Sequence, residues 1–266
     1  MDLQTQKLEG FKFIETDPGN EMTLLLLHGL FGALSNFKSI IDHFAGKANV
    51  VVPLLPIFEM PLKKLSVVGL VDHVKSFVEL KNYKRLNLVG NSLGGHVAIL
   101  YALAKSDLIK SMTLTGSSGL FEAPLGSTFP KRGNYEFVQK KTEATFYDPL
   151  VADKELVDEV YDIVNDRNKA IRVIAIAKSA LRHNISERLH LIKNPCLLVW
   201  GKQDTITPAF VGEKFKELLP NARLHILDKC GHAPMMEHPM EFNQLLHNFL
   251  IEIGEIPMVN VPRGTP

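Results

Sequence analysis

Apolar positions in the first half of the chain fall in short unbroken runs, separated by longer stretches with helical spacing. Thr-Leu-Leu-Leu-Leu-His at 23–28 shows no alternation, so it predicts a strand covered on both faces. A glycine loop and a helix over about 35–44 follow, then a second strand over 50–55. Residues 65–80 carry Val67, Leu70, Val71, Val74, Phe77 and Val78 on one helical face. A strand over 86–89 runs into a helix from Ser92 that is apolar nearly all round, at Val97, Ala98, Leu100, Ala102 and Leu103, which predicts a helix buried mid-domain. A strand over 111–115 closes this half. Strands alternating with helices predict an α/β fold: a mostly parallel sheet with helices on both faces.

For about seventy residues the pattern then changes. Pro124, Pro130 and Gly133 mark an irregular stretch, two helical patterns occupy 153–164 and 168–183, and no strand is predicted. Alternation resumes with a strand over 196–200, a helix over 210–219, a strand over 223–227 and a last helix with Phe242, Leu245, Leu246, Phe249 and Leu250 on its inner face. The expected organisation is a core over 1–116, a helical insertion over 117–191, the rest of the core over 192–255 and a loose tail over 256–266, which holds three prolines.

Composition narrows the class. With 266 residues, 45% of them hydrophobic, the chain is long enough to bury a sizeable core, and a net charge of +1 argues against disorder. The basic doublets are scattered, so no nucleic-acid partner is expected, and no apolar run approaches the roughly 20 residues of a membrane span. The opening residues lack the features of a secretory signal, and Cys196 and Cys230 both lie in apolar surroundings. A cytoplasmic protein with two buried thiols, monomeric or homodimeric, is the expectation.

Gly90-Asn91-Ser92-Leu93-Gly94 fits G-x-S-x-G. Such a match alone is a common coincidence, but this one lies where a strand ends and a buried helix begins. That placement suits a nucleophile elbow, and the helix aims its amino-terminal dipole at the site. A capping serine at a small-residue junction is the plainer alternative. A serine hydroxyl needs a base, and among ten histidines His232 stands out: it follows a strand, in a loop shaped by Gly231 and Pro234. The base needs a carboxylate. Asp204, just past the strand over 196–200, is the first candidate and Asp228 the second. The order Ser92, Asp204, His232 is the one this type of sheet uses. His28-Gly29-Leu30-Phe31-Gly32 adds a glycine-flanked loop whose Leu30 amide can join that of Leu93 as an oxyanion hole, with Phe31 as the alternative donor. His28 is expected to brace that loop.

With these residues in place, the chain resembles the α/β-hydrolases over nearly its whole length. Within them, His28-Gly29, Gly90-Asn91-Ser92, Gly201-x-x-Asp204 and Cys230-Gly231-His232 resemble small serine esterases and meta-cleavage-product C–C hydrolases. The resemblance implies that residues 117–191 form a cap, and that catalysis needs neither metal nor organic cofactor. It also implies that Asn36 and Asn91 contact substrate, as polar residues do in the C–C hydrolases. Those enzymes usually carry a tryptophan after the catalytic histidine and an arginine in the cap helix. Here Ala233 fills the first position and residues 155–164 hold no arginine, although Arg172 and Arg182 follow in the next helix. The balance favours a small, largely uncharged ester, with a C–C hydrolase second and a hydrolase-like receptor third. The aromatics Phe121, Phe129, Tyr135, Phe137, Phe146 and Tyr147 either line the pocket or seal the cap onto the sheet.

Overall fold

The computed structural model describes residues 4–31, 37–121 and 133–257. Eight strands form one sheet in the order β1-β2-β4-β3-β5-β6-β7-β8. These are β1 (Gln6–Leu8), β2 (Phe11–Glu15), β3 (Thr23–Leu27), β4 (Asn49–Pro53), β5 (Leu86–Asn91), β6 (Ile109–Thr115), β7 (Cys196–Gly201) and β8 (Ala222–Leu227). From β4 to β8 every pairing is parallel; β1 and β2 are joined antiparallel to that edge.

The unbroken apolar runs make sense once both faces are considered. Successive side chains on a strand point to opposite faces. Leu25, Leu27 and Leu88 enter one core, with α2 (Val67–Lys81), α3 (Leu93–Ala104) and α7 (Ala209–Leu218). Leu24, Leu26 and Val89 enter the other, with α1 (Lys38–Phe44) and α9 (Pro239–Glu252). The expected α/β architecture is therefore present, with each central strand sandwiched between helices. None of the helices among the described residues is long and apolar enough to cross a membrane.

Between β6 and β7 the chain makes α4 (Tyr135–Glu143), α5 (Lys154–Asn165) and α6 (Arg167–Arg182). Helix α4 falls in the stretch expected to be irregular. It buries only Val138 and Thr142, too few positions to print a helical period, although Asn134 caps it by accepting from the Phe137 amide at 2.9 Å. Val138 packs with Leu156, Val160 and Val164 of α5 in a small core of their own. The insertion is also fastened to the main core. Ile176 and Ala180 of α6 join the α2/α3 cluster, and the Val67 amide at the start of α2 donates to Ser179 Oγ at 3.0 Å.

Two further departures from the sequence reading have local causes. The apolar pattern predicts neither β1 nor β2, because β1 is fully exposed and β2 only partly buried, so neither carries a clear apolar signature. The start of the tail is not loose. Ile256 is buried in the α1/α9 core, and the Glu255 carboxylate accepts from Arg85 Nη2 at 2.8 Å and Asn87 Nδ2 at 2.9 Å. Residues beyond 257 lie outside the described part.

Glu15 ties β2 into the sheet. Its carboxylate accepts from Lys81 Nζ at 2.6 Å, Tyr83 Oη at 2.6 Å and Asn49 Nδ2 at 3.0 Å. Burial pushes its carboxyl up, but the bonds from Lys81, Tyr83 and Asn49 together hold it below the ordinary 4.5. A carboxyl that titrates lower in the folded chain than in the unfolded one stabilises the fold above about pH 4.5 and loses that contribution as pH falls through the folded value. Glu15→Gln is expected to lower the unfolding free energy at pH 7 by about 3 kcal/mol, because Lys81 loses its charged partner. Urea melts at several pH values should also show a shallower acid decline in the variant.

Candidate active site

The sheet reverses its winding at β3: β4 pairs on one side of it and β5 on the other. Loops leaving the carboxyl ends of β3 and β5 therefore diverge and leave a crevice, where parallel sheets bind ligands. Leu27 pairs with Gly90, so the segments Gly29–Leu30 and Asn91–Ser92 emerge side by side.

Ser92 occupies the turn between β5 and α3 with φ 53° and ψ −119°, a conformation that a side chain rarely tolerates. Neighbouring bonds hold it there. The Ser92 amide donates to the Thr115 carbonyl at 3.1 Å, and its own carbonyl accepts from the Ser118 amide at 3.1 Å. Glycine at 94 is a steric necessity. A Cβ there would stand 1.9 Å from the Leu27 carbonyl oxygen, so any larger residue would push α3 off β3.

His232 lies beyond β8, buried, and its Nδ1–H donates to Asp204 Oδ2 at 2.9 Å. That bond fixes the tautomer and leaves Nε2 as the acceptor. Asp204, beyond β7, is itself held: Oδ1 accepts from the amides of Ile206 at 2.8 Å and Thr207 at 2.9 Å, and Oδ2 accepts from Thr207 Oγ1 at 2.9 Å. Asp228, the second candidate, instead meets Lys202 at 3.1 Å in an exposed pair. His28 braces the β3 loop. Its Nε2 accepts from the Leu55 amide at 2.9 Å and its Nδ1–H donates to the Gly29 carbonyl at 2.7 Å, while burial holds its imidazole below the ordinary value.

Ser92 and His232 line one cavity of about 520 Å³, together with Leu30, Phe31, Leu93 and Ser118. Leu93 is the first residue of α3, so its amide has no helical carbonyl to bond. Among the described residues no acceptor takes up the amide of Leu30 or of Leu93. A hydroxyl, an imidazole backed by a carboxylate and two amides at one cavity form the set that acyl transfer through a serine calls for. No cluster of three or more His, Cys, Asp or Glu side chains suited to a metal occurs among the described residues.

The chain also matches known proteins. A family model for the alpha/beta hydrolase fold matches residues 23–239. The chain belongs to the α/β hydrolase family. One solved relative is MGS-MChE2, an α/β hydrolase enzyme from the metagenome of lagoon sediments at Mar Chica, Morocco. It is 42% identical over 94% of this chain and 98% of its own, with a TM-score of 0.77. The 2-hydroxy-6-oxononadienedioate/2-hydroxy-6-oxononatrienedioate hydrolase of Paraburkholderia phymatum is 29% identical over 89% of each chain. Monoacylglycerol lipase ABHD6 of Mus musculus is 25% identical over 89% of this chain and 77% of its own.

In this α/β hydrolase the insertion supplies the far wall of the cavity. Leu156, Val160, Val173, Ile176, Ala177 and Ala180 make it almost wholly apolar, and Lys141 is the one Lys or Arg among the described lining residues. Of the candidate aromatics, Phe146 lines the cavity, whereas Tyr135 donates to Asp158 Oδ1 at 2.7 Å and Phe121 stacks edge-on against Phe210. Phe129 lies outside the described residues. Arg172 donates to the Met60 carbonyl, and neither it nor Arg182 lines the cavity. The apolar wall has no signature of its own in the sequence, because its residues are the inner faces of ordinary amphipathic helices.

Asn36 lies outside the described residues. Asn91 is buried and absent from the cavity lining, contrary to the expected contact with substrate; its Nδ2 donates to the carbonyls of Thr115 at 3.1 Å and His232 at 3.3 Å. It ties the elbow to the histidine loop. Asn91→Ala is expected to lower stability by about 2 kcal/mol, because the buried His232 carbonyl loses its side-chain donor and the Thr115 carbonyl keeps only the Ser92 amide, while KM stays within about twofold of the native value. Thermal melts and steady-state kinetics on one chromogenic ester check both.

Proposed function

We propose that this α/β hydrolase cleaves small carboxylic esters through an acyl-enzyme formed on Ser92. The observation that carries the reading is the shared cavity: Ser92 and His232 open into about 520 Å³ of mostly apolar space. His232 Nε2 takes the proton from Ser92 Oγ as that oxygen attacks the carbonyl carbon. The amides of Leu30 and Leu93, with Phe31 as the alternative to Leu30, hold the oxygen that becomes negative. Asp204 keeps the imidazole oriented and stabilises its charged form. The imidazolium then protonates the departing alcohol. Water, deprotonated by His232, attacks the acyl carbon, and the acid leaves with Ser92 restored. Apolar walls strengthen these charge interactions by excluding water.

The helices between β6 and β7 serve as the cap of this site, over the 117–191 insertion. The apolar wall on α5 and α6 suits an acyl chain. The threonines at 142, 145, 205 and 207, with Lys141, make the remaining wall polar enough for a hydroxylated alcohol. Ester cleavage agrees with the lipase named among the relatives. C–C hydrolysis is the second reading, favoured by the Paraburkholderia relative. That relative is named for a dioate, which carries two carboxylates, and one lysine among the described lining residues is a poor match for two anions. A receptor that has kept the scaffold is the third; labelling of Ser92 by a serine-directed probe without turnover would favour it.

A panel of p-nitrophenyl esters from acetate to decanoate, run beside a vinylogous 1,5-diketone, separates these readings. Ester turnover is expected to exceed diketone turnover; the reverse order would establish the C–C reading instead. Ser92→Ala should lose about four orders of magnitude or more in kcat, and Asp204→Asn about four. Ala177→Leu narrows the apolar wall, and is expected to lower kcat/KM for octanoate about tenfold while leaving butyrate within about twofold.

A further inference from the structure

The Glu237 carboxylate lies at the end of α8 (Pro234–Glu237), outside the cavity lining, yet it joins the two segments that meet there. Oε1 accepts from the Gly231 amide at 2.7 Å, immediately before His232. Oε2 accepts from the Tyr147 amide at 2.7 Å and is 3.4 Å from that of Asp148, both in the linker between α4 and α5. No Lys or Arg pairs with Glu237 among the described residues, so these backbone donors are its main partners. The Cys230 thiol stands 4.0 Å from Oε1.

The same linker touches the catalytic loops at neighbouring points. The His232 amide donates to the Thr145 carbonyl at 2.9 Å, and Thr205 Oγ1, one residue past Asp204, donates to the Ala144 carbonyl at 3.1 Å. Contact is so close at Gly231 that a Cβ there would stand 2.7 Å from the Thr145 carbonyl oxygen and 2.8 Å from Phe146 Cα. On its other side the linker faces substrate space, since Ala144, Thr145 and Phe146 line the cavity. One short segment therefore has the cavity on one side and the histidine loop on the other.

We propose that Glu237 is a positioning residue: through this linker it couples the seating of a substrate against the insertion to the placement of His232. The proposal rests on the reading of His232 as the base. A carboxylate suits the task because both of its oxygens accept, so it can span two sets of amides at once. Glutamine, with nearly the same shape, has one accepting oxygen and one donating nitrogen. In Glu237→Gln one end of the bridge must face an amide donor to donor. A small ester that leaves the insertion untouched gains little from the bridge. A long ester, pressed against Phe146 and the apolar wall, gains most.

The test compares native protein and Glu237→Gln on p-nitrophenyl acetate and p-nitrophenyl octanoate, with amide hydrogen exchange read over residues 144–148 and 229–233. Expected are a fall of about tenfold in kcat for octanoate, a change within about twofold for acetate, and faster exchange in both segments together. An equal fall for both esters would mark a purely structural role and overturn the coupling. So would faster exchange in one segment alone, or an octanoate rate within about twofold of native. If Glu237→Gln does not fold, Glu237→Asp, which shortens the bridge by one methylene, carries the same comparison. The two readings fail separately: an active Ser92→Ala would remove the catalytic role of the serine and leave the exchange result standing.

Discussion

Ser92 has a backbone conformation that costs about 1–3 kcal/mol in an L-residue, and the rest of the site depends on its being held there. The constraint begins with packing. Helix α3 runs back over β3 so closely that Gly94 lies against the Leu27 carbonyl, and that approach leaves the chain between β5 and α3 no room for a relaxed turn. Hydrogen bonds from Ser92 to Thr115 and from Ser118 to Ser92 offset part of the strain and tie the elbow to the end of β6. The outcome is a hydroxyl at the head of a helix, where the dipole favours negative charge, with the unbonded Leu93 amide beside it.

The remaining groups arrive through the topology. A parallel sheet brings the loops after β3, β5, β7 and β8 to the same edge, so residues more than 200 positions apart in sequence, such as Leu30 and His232, share one cavity. Asp204 is pinned by three hydrogen bonds from its own turn before it meets His232, so in the proposed mechanism the carboxylate need not reorganise when the imidazole becomes charged. The insertion closes the apolar side. Its contact with the histidine loop through Thr145 and Glu237 makes cavity wall and His232 loop parts of one packed unit.

Features with a strong local signature were legible in the sequence. The doubly buried strands announced themselves as unbroken apolar runs, and the glycines around Ser92 and before His232 marked strand ends where the backbone turns sharply. Features that depend on partners were not. Strands β1 and β2, at one end of the sheet, have too little buried surface to show a period, and β2 is secured by Glu15, a polar contact with residues far along the chain. Helix α4 buries two positions, although the cap at Asn134 was a usable signal. Asn91 stands next to Ser92, a position that points to substrate, but its side chain is taken up by the carbonyls of Thr115 and His232. Ile256 looked like tail, yet it completes the α1/α9 core. In each of these cases a long-range contact decided the role, and one residue's neighbours in sequence do not encode it.

In the proposed mechanism the acyl group passes through Ser92. Acid quenching during turnover of a p-nitrophenyl ester, followed by peptide mass spectrometry, measures this directly. An acyl adduct is expected on the peptide containing Ser92, with the mass of the acyl group supplied and absent from Ser92→Ala. Continued hydrolysis with no adduct on Ser92, or an adduct on another residue that persists in Ser92→Ala, would contradict it.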